Sequence, residues 1–229
     1  MTRIVDPVLD DLRQKILRMG SLAEAILEKS LQAVWQRDAA LAREVRLDDL
    51  EIDRLDLAMD EAVLRALATQ APVADDLRQV LAINVMATDL ERVGDLARNI
   101  AKSALRLCEG PEVPVPEKLK VLADEAQRLL RHALDSFSDG DSERAAFVLD
   151  DDDRVDERHD EVIRAAISEI ASHPELTSQE VDFILIAKNL ERVADHATNI
   201  AEDVIMVKEA RNLKHAGKLR TAGGGSQGT

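Results

Sequence analysis

The chain has 229 residues, 45 % of them hydrophobic, enough for a sizeable core in one large domain or two small ones. Aromatic residues are only 2 %, with no Tyr, which argues against a sheet, and the abundant Ala, Leu, Glu, Arg and Asp suit helices. A net charge of −15 disfavours nucleic acid as a partner, and the single Cys108 excludes an internal disulfide or a thiolate metal cage and fits a reducing compartment.

The N-terminal stretch Met1-Thr2-Arg3-Ile4-Val5-Asp6-Pro7 has no apolar signal segment, and no run approaches the ~20 apolar residues of a membrane span, so membrane association is expected only through partners. Residues 8–36 predict a first helix, with Leu9, Leu12, Ile16, Met19, Ala23, Ile26, Leu27, Leu31 and Val34 at spacings of three and four. Gly20 lies inside it and should weaken it locally. Asp38 caps a second helix reaching about Thr69, with Pro72 beyond its end, and a third opens near Asp75 or Asp76 and runs to about Leu107. Residues 109–116 hold three of the six prolines and read as a linker between domains. A fourth helix covers 117–138 and ends at Asp139-Gly140. Asp141 caps a fifth, to about Ser172, closed by Pro174. Thr177-Ser178-Gln179-Glu180 has the form of a capping box and opens a sixth helix, to about His215. The tail beyond, 216–229, with Gly223-Gly224-Gly225, reads as disordered.

The second half repeats the first. Shifting by 103 places Asp38 on Asp141, Val45 on Val148, Asp49 on Asp152, Ile52 on Val155 and Asp53 on Asp156. Beyond the loop after Pro174 the shift becomes 100, and Leu90-Glu91-Arg92-Val93-Gly94-Asp95-Leu96-Ala97-Arg98-Asn99-Ile100-Ala101 returns as Leu190-Glu191-Arg192-Val193-Ala194-Asp195-His196-Ala197-Thr198-Asn199-Ile200-Ala201. The expected architecture is all-α: two tandem three-helix bundles related by a pseudo-twofold axis, the first over 1–108 and the second over 117–215.

Each half carries two acidic pairs at i, i+4, namely Asp49/Asp53 and Glu91/Asp95, then Asp152/Asp156 and Glu191/Asp195. On a helix such residues stand one above the other and repel by roughly 0.2–0.5 kcal/mol per pair. The third-helix acids fall on a polar stripe bordering the core, with Asn99 or Asn199 on the same arc. Antiparallel neighbours would bring four carboxylates and an Asn carbonyl to one space. Such hard oxygen donors suit Mg²⁺, Ca²⁺ or Mn²⁺, and Fe or Zn where bridging water or hydroxide shares the charge. Solvated charges balanced by neighbours such as Arg92 are the plainer account. The histidines do not pair at metal spacing. Asp156-x-x-His159 comes nearest, and His196, beside Asp195, could support a ligand from behind. No HExxH, P-loop, GxGxxG or nucleophile elbow is present. Lys208, Arg211, Lys214, His215, Lys218 and Arg220 make the C-terminal end basic, a candidate partner contact.

Leu90-Glu91-Arg92-Val93-Gly94-Asp95, Pro72-Val73-Ala74-Asp75-Asp76-Leu77-Arg78, Met19-Gly20 and the stretch Asn189 to Glu202 resemble the PhoU family of bacterial phosphate-uptake regulators. The likeness runs from about residue 8 to 210; Ala194 departs from the Gly of the first copy. It implies tandem three-helix bundles whose doubled acidic motifs can hold multinuclear metal clusters, here at Asp49, Asp53, Glu91, Asp95, Asp152, Asp156, Glu191 and Asp195. It further implies a cytoplasmic, non-enzymatic homodimer acting on the ATPase subunit of the Pst phosphate transporter and on the PhoR sensor histidine kinase. Such an adaptor would hold the phosphate-starvation response off when phosphate is plentiful. The competing reading is a hydrolase in which carboxylate-bound metal activates water.

Overall fold

The computed structural model describes residues 6–210, and these form six long α-helices with no strand among them. They are α1 (Asp6–Gln36), α2 (Ala39–Gln70), α3 (Ala74–Glu109), α4 (Glu117–Asp139), α5 (Ser142–Ser172) and α6 (Thr177–Glu209). The expectations for residues 1–5 and for the chain beyond Ala210, including the helix end at His215, the tail and most of the basic stretch, lie outside the described residues.

Local chemistry sets the helix ends in parallel ways in the two halves. Asp38 and Asp141 sit in extended backbone, and each carboxylate accepts from the backbone N–H groups two and three residues on, at 2.8–3.0 Å. Caps of this kind stabilise a helix by ~1 kcal/mol. α2 ends before Pro72 with Ala71 in the left-handed region, and α4 ends on Gly140 at φ 64°. At the start of α6 the expected capping box does not form. Pro174–Leu176 is a 3₁₀ turn running straight into the helix, so Thr177 already lies inside it and its hydroxyl donates to the Pro174 carbonyl at 2.6 Å. Glu180 is buried instead of reaching back to a cap.

α1, α2 and α3 make one bundle and α4, α5 and α6 the other, with α3 and α6 packed on each other along their length. One continuous apolar core results, built from Leu12, Ile16 and Leu27 of α1, Val45 and Ile52 of α2, Leu90 and Val93 of α3 and their counterparts in α4 to α6. Gly20 does not break α1: it is buried, and a Cβ there would fall 2.7 Å from Leu134 Cδ2, so the residue lets α4 approach. Residues 111–116 have no regular structure, but they are anchored. Val113 is buried, Val115 packs on the core, and Arg37 donates to the Gly110 and Pro111 carbonyls.

Candidate functional site

The i, i+4 spacing puts each acidic pair on one side of its helix, and packing of α2 on α3 and of α5 on α6 decides what the pairs meet. In the first half Asp49 is 1 % exposed, while Asp53, Glu91 and Asp95 are half-buried along the seam. The bordering position expected for the third-helix acids holds for Glu91 and Asp95, whereas Asp49 on α2 lies inside the packing. Gly94 is the reason. A Cβ on it would stand 2.8 Å from Asp49 Oδ1 and 3.0 Å from Ile52 Cδ1, so its bare backbone lets α2 bring the Asp49 carboxylate down against α3.

Arg98 then reaches out from α3, pairing one guanidinium nitrogen with Asp49 and the other with Asp95. Arg92 stands 3.4 Å from both Glu91 and Asp95. Burial pushes the Asp49 carboxyl up, Arg98 opposes this, and Asp53 and Asp95 add to the rise. Glu91 is raised by burial, then by Asp95, with Arg92 opposing. Asp56, which sequence reasoning passed over, joins the group: burial, Asp60 and Asp53 raise its carboxyl.

The second half keeps the acids and changes the cations. Asp152 and Glu191 are half-buried and Asp156 and Asp195 exposed. Thr198 occupies the place of Arg98, and its hydroxyl donates at 2.7 Å to the Asp195 carbonyl of its own helix. Asp152 is pushed up to about 6, first by burial and then by Asp156, Asp195, Asp153 and Glu191, all of them acids. Asp156 and Glu191 are also raised by burial and by Asp195; His159 offsets both, and Lys188 also offsets the rise at Glu191. The same shift of 103 that aligns Asp53 with Asp156 aligns Asp56 with His159, a correspondence that could have flagged Asp56 from the Asp156-x-x-His159 spacing. Beside this cluster, Asp151 faces the other way. Burial raises it, but hydrogen bonds from Arg128 and Arg154 outweigh that and hold it low.

Two supporting expectations need correcting. Asn199 and His196 do not serve the second carboxylate cluster. They face α3, where Asn199 Nδ2 donates to Asp89 Oδ1 at 3.1 Å and His196 Nδ1 lies 2.8 Å from the same oxygen. They hold the two repeats together, because their arc of α6 faces α3 and not α5. In the first half the Asn99 carbonyl accepts from Lys102 at 3.1 Å, so it is engaged on its own helix.

The donor set bears on metal binding differently in the two halves. Among the described residues no three His, Cys, Asp or Glu side chains stand in a ligating arrangement. In the second cluster Asp152, Asp156, Glu191, Asp195 and His159 act on one another electrostatically, with no arginine ion-paired to the four acids among the described residues, and carboxylate oxygens with an imidazole are donors whose chemistry suits a divalent cation. In the first, Arg98 already holds two of the four carboxylates.

The family model for the PhoU domain matches the chain twice, over residues 16–104 and 119–204. A phosphate-specific transport system accessory protein PhoU homolog from Pseudomonas aeruginosa is 33 % identical over 213 residues, 93 % of this chain and 88 % of that protein. One from Xylella fastidiosa is 35 % identical over 208 residues, 91 % of this chain and 86 % of that protein. The crystal structure of PhoU from Pseudomonas aeruginosa superposes with a TM-score of 0.87 at 33 % identity, covering 90 % of this chain and 99 % of that one. That of the phosphate transport system regulatory protein PhoU from Streptococcus pneumoniae gives 0.85 at 26 % identity, covering 91 % and 98 %. The doubled domain, the six-helix architecture and these similarities agree: the chain belongs to the PhoU family.

Proposed function

We propose that this protein is a cytoplasmic, non-enzymatic adaptor between the ATPase subunit of the Pst phosphate transporter and the PhoR sensor kinase, repressing the phosphate-starvation response when phosphate is abundant. The observation that carries this reading is the doubled PhoU domain, over residues 16–104 and 119–204, shared with relatives named as accessory proteins of phosphate-specific transport. Among the described residues no helix is long and apolar enough to cross a membrane, so contact with a transporter or kinase would be made through the surface of the bundle.

The eight carboxylates of the two clusters are read as cation sites: Asp49, Asp53, Glu91 and Asp95 in the first, and Asp152, Asp156, Glu191 and Asp195 in the second. His159 adds an imidazole nitrogen to the second, which widens its choice from Mg²⁺ and Mn²⁺ towards Zn and Fe. A bound metal would supply positive charge that offsets carboxylate crowding and clamps α5 to α6. The chain's own part is to hold Asp152 and Glu191 half-buried along that seam, where a bound ion would be shielded from solvent.

The homodimer is assigned to α2. Leu50, Leu57 and Leu64 recur every seven residues with Leu47 beside them, all exposed, forming a straight apolar stripe that a second copy would cover. The matching positions of α5 are Asp150, Asp153, Asp160 and Ile167, so that helix offers no such stripe.

Deleting the gene and measuring alkaline phosphatase in high phosphate tests the regulatory reading. Constitutive phosphatase with altered phosphate uptake is expected; unchanged repression and uptake would remove it.

A further inference from the structure

The two clusters share one plan, yet among the described residues only the first has an arginine ion-paired across the helix seam; in the second, Lys188 acts on Glu191 from a distance. Arg98 bridges from α3 to the buried Asp49 and to Asp95, and a guanidinium stays charged at every accessible pH. Asp49, on α2, is 1 % exposed and packs against α3 where the bare backbone of Gly94 lets the two helices approach. A metal entering there would have to displace one guanidinium from two carboxylates at once. At the equivalent place the second repeat has Thr198, which is too short to reach across and is turned back to its own helix. A second difference acts in the same direction: Asp56 of the first repeat is replaced by His159, whose neutral nitrogen can ligate.

We propose that Arg98 is the resident cation of the first cluster and keeps metal out of it, so that this chain binds metal through its second repeat alone. The inference rests on the reading of the acidic clusters as cation sites. It goes beyond that reading by making the two repeats functionally unequal: one is permanently closed by an arginine and the other answers to metal supply.

The test is Mn²⁺ titration of the full chain, with bound ion counted by electron paramagnetic resonance and calorimetry. Three variants are compared with the natural sequence: Arg98→Thr, Arg98→Lys and Thr198→Arg. Arg98→Thr should about double the bound Mn²⁺, Arg98→Lys should leave it unchanged, and Thr198→Arg should abolish it. If Thr198→Arg keeps half of the metal, the first repeat was binding it and the inference is overturned while the cation-site reading survives. No gain in a folded Arg98→Thr also overturns it. If Arg98→Thr fails to fold by circular dichroism, Thr198→Arg still decides, because the half-buried place of Thr198 matches the one that carries an arginine in the first repeat. Absence of Mn²⁺ from the natural sequence and from every variant overturns the inference and the cation-site reading together.

Discussion

Asp152→Asn removes one charge from the cluster that lacks an arginine. Asp152 titrates near 6 in the folded chain against 3.8 for the free side chain. A raised carboxyl means that the folded state holds its proton more tightly than the unfolded one. Its contribution to stability is therefore complete below pH ~3.8 and is lost as pH rises through ~6. The full shift corresponds to ~3 kcal/mol. Because the carboxylate is only half-buried, solvent screening reduces the usable part to ~1 kcal/mol. In EDTA at pH 7.5 the Asn variant should thus melt about 2–4 °C higher than the natural protein, as expected for a chain of this size. At pH 4 the advantage should vanish, since Asp152 is then protonated. Differential scanning calorimetry at the two pH values is the assay. A variant that melts lower at pH 7.5, or that keeps the same gain at pH 4, would refute the claim that charge crowding strains this seam.

Gly94→Ala should cost about 1–3 kcal/mol, because its methyl group would collide with Asp49 and Ile52, whereas Ala194→Gly should cost no more than ~1 kcal/mol; chemical denaturation separates the two. Asp89→Ala should lower stability by about 1–3 kcal/mol by leaving His196 and Asn199 without their shared acceptor, and the loosened α3–α6 contact should appear as faster amide exchange in both helices. Leu57→Glu combined with Leu64→Glu should turn a dimer into a folded monomer in light scattering; a dimer that persists would move the interface off α2. Incubation with phosphoesters and Mn²⁺ should give no turnover, and turnover abolished by chelation would revive the hydrolase reading.

The helices were legible because their signals are local. Asp38, Asp141, Pro72 and Gly140 act on the backbone within a few residues, and the apolar spacing survives in both copies. The internal repeat made the architecture legible as well, since two matching sets of three helices leave few ways to bury their faces. The site was legible only along each helix. Spacing placed Glu91 above Asp95, but it could not tell that Arg98 reaches to Asp49 on another helix, because that contact depends on how closely Gly94 lets α2 approach. Nor could it tell which polar arc meets which neighbour. Asn199 and His196 looked like companions of Asp195, yet the turn of α6 sends them to Asp89. The capping box failed for a related reason: the 3₁₀ turn at Pro174 had already begun the helix, so Thr177 had no cap position to fill.

The most direct measurement of the central claim is the thermal melting of the purified full chain at pH 7.5 with EDTA and then with Mn²⁺ or Zn²⁺, alongside a variant carrying Asp152→Asn, Asp156→Asn, Glu191→Gln and Asp195→Asn. If a cation offsets the crowded carboxylates, metal raises the melting temperature of the natural chain and leaves the variant unmoved. Identical melting of the natural chain with and without metal, at concentrations up to millimolar, would contradict the account.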